Sequence, residues 1–101
     1  MDNDIARVTQ VRPAGGHTLR VQFAGSVRES DIDLTGLLAR SVNFAPLMDD
    51  AETLAKAAIV EDGLGIAWPV KTKWGRLDIS AATLRRIAEE QRPITNAVKS
   101  L

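Results

Sequence analysis

The chain contains no cysteine and a single histidine, His17. Without cysteine there can be no disulfide, no thiolate metal site and no cysteine nucleophile. One histidine alone leaves a zinc site of the usual kind incomplete, since such a site takes about four ligands drawn mostly from Cys and His. Aromatic side chains are scarce as well: Phe23, Phe44, Trp68 and Trp74 are all there are. A core must therefore rest on Leu, Ile and Val. No segment approaches the roughly 20 consecutive apolar residues that span a bilayer. The first residues, MDNDIARV, are acidic where a secretory signal would be basic, so the expected location is the cytoplasm, with no membrane contact. Net charge is zero and the isoelectric point is about 6.6. A sequence-independent nucleic-acid or membrane binder carries a strong basic excess, and this chain as a whole carries none.

The residues that are present suit one domain. A chain of 101 residues buries roughly 60–70% of the surface its unfolded form exposes, and a hydrophobic content of 45% is ordinary. The charge, though balanced, is unevenly placed. Residues 1–66 hold ten acids and six bases, a net −4, and residues 67–101 hold three acids and seven bases, a net +4. Either the two parts attract each other or the C-terminal part presents a basic surface. Most exposed charges are simply solvated, which favours the first of these.

Local patterns divide the chain into short elements. Residues 5–12 are rich in β-branched side chains and stop at Pro13-Ala14-Gly15-Gly16, a turn signal. Residues 17–24 alternate, with Leu19, Val21 and Phe23 on one side and Arg20 and Gln22 on the other, the pattern of a half-buried strand. The two runs make a hairpin. Residues 27–34 form a weaker strand whose three acids suit a sheet edge. Thr35–Arg40 is a short helix with Leu37 and Leu38 facing inward, and Asn43–Leu47 is a loop with two apolar anchors. Asp49, with Glu52 three residues on, has capping-box spacing for a helix over about 50–57. Residues 57–62 and 65–69 flank Gly63-Leu64-Gly65 and predict a second hairpin. Ser80 caps a last helix, 81–92, with Leu84, Ile87 and Ala88 at i, i+3 and i+4, and Pro93 ends it. The expected architecture is α+β: a small single domain, residues 1–92, of short antiparallel strands in two hairpins with short helices and a C-terminal helix, with a loosely attached tail, 93–101.

The order of these motifs resembles the bacterial domain family of unknown function DUF2442. The resemblance is carried by Leu19-Arg20-Val21-Gln22-Phe23, by Asp33-Leu34 leading into Leu37-Leu38, and by Phe44-Ala45-Pro46-Leu47-Met48-Asp49 with Leu54. It continues through Ala67-Trp68-Pro69, Leu77-Asp78-Ile79-Ser80 and Leu84-Arg85-Arg86-Ile87-Ala88-Glu89-Glu90-Gln91, covering about residues 5–91. It implies a compact α+β domain with no established activity. Family members are often encoded beside small partner proteins in arrangements that suggest toxin–antitoxin pairs. Some longer members carry a helix-turn-helix module after the segment matching 80–96, and with 101 residues this chain is expected to lack one. It also departs from the family in the insertion Val70-Lys71-Thr72-Lys73-Trp74 before Gly75.

The candidate chemistry is sparse. His17 comes after two glycines at a strand start and is expected to be exposed, with no serine motif beside it to form a triad. Asp31, Asp33, Asp49, Asp50 and Glu52 lack the alternating spacing of a calcium loop. Asp33 and Asp49 are better read as helix caps, each contributing about 1 kcal/mol, and Asp78 as fixing the approach to Ser80. Neither Gly63-Leu64-Gly65 nor Ala14-Gly15-Gly16 has phosphate-loop spacing. By alternation Ile66 and Trp68 share a buried face. Trp74, among Lys71, Lys73 and Arg76, is open to three readings: loop anchor, protein contact or base-stacking platform. Arg85 and Arg86 extend the patch if the last helix packs beside it, although so few bases are a small electrostatic footprint for DNA. The resulting expectation is a non-enzyme without cofactor or metal that contacts a small protein partner through Lys71, Lys73, Trp74, Arg76, Arg85 and Arg86. The alternative is an accessory nucleic-acid-binding domain, and a small hydrolase or ligand-binding protein stands third. Pairing of strand 27–34 across a two-fold axis would give a homodimer, against which its acids argue.

Overall fold

Pro13 and the glycines after it act as the sequence suggests: the computed structural model, which describes residues 5–72 and 75–91 with only the backbone of Lys71, turns there with φ of 102° at Gly15 and 56° at Gly16. The turn joins β1 (Val8–Pro13) to β2 (Thr18–Phe23), and a second turn through Gly25 joins β2 to β3 (Glu29–Asp33). The three strands form an antiparallel sheet in the order β1-β2-β3. The β2 alternation holds, since Leu19, Val21 and Phe23 are buried and Ile32 lies opposite Leu19 on the same face. The outer face carries cross-strand ion pairs, Arg20 Nε to Asp31 Oδ1 at 2.7 Å and Arg12 to Glu29 at 2.7 Å. A hydrogen bond from Arg20 holds the Asp31 carboxyl below its ordinary pKa.

Three short helices come next: α1 (Thr35–Arg40), α2 (Ala45–Met48) and α3 (Ala51–Leu54). Asp33 serves α1 from just outside it, accepting from the Thr35 amide at 2.9 Å and the Thr35 hydroxyl at 2.6 Å. The cap of α3 is Asp50, not Asp49. Asp50 accepts from the Thr53 amide at 3.1 Å and the Thr53 hydroxyl at 2.7 Å. Leu47 and Leu54 must both be buried, and a helix starting at Ala51 achieves this with Asp50 as the boundary. The segment expected as a loop with two anchors is a 3-10 turn, Val42–Phe44, running into α2. Its anchors are real: Leu47 is fully buried and Phe44 meets the edge of Trp68.

The second sheet is β4 (Ala58–Val60), β5 (Gly65–Thr72) and β6 (Gly75–Ser80), again antiparallel and in sequence order. The strand β6 is not among the strands expected from the sequence, which reads Asp78 only as fixing the approach to Ser80. Leu77 and Ile79 are buried and Asp78 exposed, the alternation of a strand. Between β4 and β5 the chain makes a turn, Glu61–Gly63, with three successive positive φ values, 52°, 63° and 92°. Glycine is required at the last. A Cβ on Gly63 would lie 2.8 Å from the Val8 carbonyl oxygen, so this turn touches β1 of the first sheet.

Ser80 starts α4 (Ala81–Glu90), accepting from the Thr83 amide at 3.1 Å. Ala81, Leu84 and Ile87 are its buried face, which packs against β3, β5 and β6. One apolar core therefore spans both sheets and the helices, and the α+β architecture is as expected. At the end of α4 the Gln91 side chain reaches the edge of β3. Its Oε1 accepts from the Asp33 amide at 2.9 Å, and its Nε2 donates to the Asp33 carbonyl at 2.8 Å. The carboxamide thus pairs with Asp33 as a neighbouring strand would. The tail 93–101 lies outside the described residues.

Candidate functional site

The best candidate surface is built on the β5–β6 hairpin, and its lower half is core. Ile66 lies opposite Ile79. Trp68 is 2% exposed, and its indole N–H donates to the Leu54 carbonyl at 2.8 Å. Above Trp68 the register breaks: Ala67 pairs with Asp78, but the next paired residues are Lys71 and Arg76. Three residues of β5, Trp68-Pro69-Val70, thus stand against Leu77 alone. Proline has no amide to give a ladder, and such an irregularity is where it is tolerated. A bulge raises local twist and re-aims the strand beyond it. There the ladder resumes through Lys71–Arg76 and Thr72–Gly75, with Gly75 at φ 107°. The Thr72 hydroxyl donates to the Gly75 carbonyl at 3.1 Å. Val70, Lys71 and Thr72 therefore belong to a hairpin strand.

Of the predicted contact residues, the structure describes the side chains of Arg76, Arg85 and Arg86. The Lys71 side chain, Lys73 and Trp74 lie outside the described residues. Arg76 lies over the acids of its own sheet, donating to Asp78 Oδ2 through Nε at 3.3 Å and through its terminal nitrogen at 3.0 Å, with Glu61 at 3.5 Å. The hydrogen bond to Asp78 raises its pKa above the ordinary guanidinium value. Arg85 and Arg86 pair along α4 with Glu89 at 3.7 Å and Glu90 at 4.0 Å. Arg85 lines a cleft against the first sheet and not the hairpin. Each acid of residues 67–101 is therefore engaged by an arginine. The other bases of that part of the chain are Lys71, Lys73, Arg92 and Lys99.

His17 is not the exposed residue expected. It is half-buried, with Nε2 2.6 Å from the Met48 carbonyl oxygen and Nδ1 3.2 Å from the Thr35 hydroxyl. A carbonyl only accepts, so Nε2 carries a proton. The Thr35 hydroxyl in turn donates to Asp33, and this bond, together with the weaker effect of the one from the Thr35 amide, holds the Asp33 carboxyl below its ordinary pKa. This chain of bonds ties the β1–β2 turn to α1 and α2. Nothing in the spacing of residues 17, 33, 35 and 48 announces it. Asp50 is likewise lowered by its bonds from Thr53. The lowered carboxylates thus trace to local capping bonds and cross-strand pairing, and among the described residues no polar or charged residue is fully buried. Also among the described residues, no group of three or more His, Asp or Glu is placed to hold a metal ion, and no helix is long and apolar enough to cross a membrane.

Comparison with protein-family models, with curated proteins and with solved structures finds no match to this chain.

Proposed function

We propose that this is a cytoplasmic, non-enzymatic domain that acts by contacting a small acidic protein through the far half of its β5–β6 hairpin. The observation that carries the reading is the distribution of charge. With Arg76, Arg85 and Arg86 each held by a neighbouring carboxylate, the basic excess falls in part on Lys71 and Lys73, in the stretch of hairpin beyond the last core pair. Trp74 is next to Lys73 in sequence, and an indole flanked by cations is the kind of side chain that anchors protein interfaces. The resemblance to DUF2442, whose members are often encoded beside small partner proteins, supports an antitoxin-like or regulatory role. Arg76, Arg85 and Arg86 are secondary contacts in this reading, because a partner must first displace their carboxylates.

The test is a tagged pull-down from the native host with partners identified by mass, repeated with the K71E/K73E double variant. The expected result is one small acidic protein at equal stoichiometry, bound at least tenfold more weakly by the variant, with an unchanged melting temperature. Rim charges act mainly on association rate and salt dependence, so the loss is larger at low salt. Partner binding that survives the double reversal overturns the assignment. Nucleic acid released from the column at moderate salt overturns it in favour of an accessory nucleic-acid-binding domain.

A further inference from the structure

Between the entry to β1, the β2–β3 turn and α4 lies a cleft of about 400 Å³, within the usual size of small-ligand sites, which run from about 300 to 1,000 Å³. Its apolar side is Phe23, 9% exposed, and its polar lining is Arg7, Ser26, Ser30, Arg85 and Glu89. The lining thus includes two arginines and one carboxylate residue. Arg7 donates one bond, to the Asp62 carbonyl at 2.9 Å, and no carboxylate among the described residues lies within ion-pair distance of it. Arg85 meets Glu89 only at 3.7 Å, in an exposed i,i+4 pair, a contact of the kind that a ligand displaces at little cost. The hydroxyls of Ser26 and Ser30 have no hydrogen-bond partner among the described residues.

From this arrangement we infer that the cleft is a binding site for a small organic oxyanion, a carboxylate or phosphate monoester with a short apolar body. Its charged end sits between Arg7 and Arg85, with hydrogen bonds from the two serines, and its apolar part lies on Phe23. A planar guanidinium matches either oxyanion in two-point geometry, and hydroxyls fix its orientation. Glu89 opposes the ligand's charge, which makes it a residue that limits affinity. This site shares Arg85 with the secondary contacts of the proposed function but does not rest on that reading.

The test titrates the full-length, isotope-labelled protein with inorganic phosphate and, separately, with acetate, monitoring backbone amide resonances at constant ionic strength. Saturable shifts confined to Gly25, Ser26, Ser30 and residues 85–89 are expected for at least one of the two probes. The R7Q/R85Q variant is expected to weaken binding by tenfold or more with an unchanged melting temperature, since both side chains are exposed. The E89Q variant is expected to tighten it by about two- to fivefold, the scale of one exposed like-charge contact. A response to phosphate alone assigns phosphate monoesters, and a response to acetate brings carboxylates in. No saturable shift with either probe, or shifts that persist in R7Q/R85Q, overturns the proposal.

Discussion

Replacing Trp68 with phenylalanine isolates one buried hydrogen bond and gives it a predicted size. The indole N–H donates to the Leu54 carbonyl at 2.8 Å, and Trp68 is only 2% exposed. Leu54 is the last residue of α3, so its carbonyl is among those a helix end leaves without an internal partner. Phenylalanine keeps the aromatic ring but has no donor. The Leu54 oxygen then stays buried and unsatisfied, at a cost of about 1–3 kcal/mol. The smaller ring also gives up roughly 40 Å² of buried apolar surface, about 1 kcal/mol more. The contact with Phe44, with ring centroids at 6.0 Å and planes at 81°, depends on geometry that phenylalanine can largely retain. The expected loss is therefore about 2–4 kcal/mol, or a fall in melting temperature of roughly 10–25 °C for a domain of this size. Urea unfolding monitored by far-ultraviolet circular dichroism measures it without relying on the fluorophore that was removed. A loss well under 1 kcal/mol would mean that water reaches the Leu54 carbonyl, and the account of α3 as capped by Trp68 would fail.

Two further predictions concern the polar contacts. Gln91→Ala removes both bonds to the Asp33 backbone. At an exposed edge water takes their place, so about 0.5–1.5 kcal/mol is lost, and amide exchange at Asp33 accelerates while exchange at Val21 does not; equal acceleration at both would show that the carboxamide supports the whole sheet. The pKa values of Asp31, Asp33 and Asp50 are all lowered by hydrogen bonds in the folded state. Their stabilisation is thus present above the unfolded Asp value of about 3.9 and is lost as pH falls through the lower folded values. Melting temperature is expected to drop steeply below about pH 4, and Thr35→Val to return the Asp33 titration, read from carboxyl resonances, towards the ordinary Asp range; an unmoved titration would remove Thr35 as the cause.

Much of the fold is legible from short-range pattern. The alternation at Leu19, Val21 and Phe23 marks β2, and Ser80 with the spacing of Leu84 and Ile87 marks α4. The errors arise where two local signals compete. Leu77 and Ile79 alternate, but Asp78 and Ser80 are also capping residues, and in a six-residue stretch the capping signal obscures the strand. Asp49 and Asp50 each precede a helix-compatible residue by three positions. The choice falls to Asp50 because Leu47 and Leu54 must reach the core together, a tertiary demand that no capping rule contains. Contacts across long separations are illegible altogether, including His17 with Met48, Gly63 with Val8 and Gln91 with Asp33. For the hairpin, composition points to the basic stretch. The structure assigns Arg76 to Asp78, and Arg85 and Arg86 to the acids four residues on, Glu89 and Glu90.

The pairing of Gln91 with Asp33 also has a consequence for the order of events during synthesis. The three strands of the first sheet are complete once Asp33 has been made, but the group that bonds the Asp33 backbone lies 58 residues later. At about 5–20 residues per second, the ribosome needs about 3–12 s to supply it. Over that interval the Asp33 backbone lies open beside Glu29, Asp31 and Asp33, and charged side chains of this kind, here partly paired with Arg12 and Arg20, discourage pairing with other chains. The acids of β3 act early, and the carboxamide at the end of α4 takes over once the helix has docked.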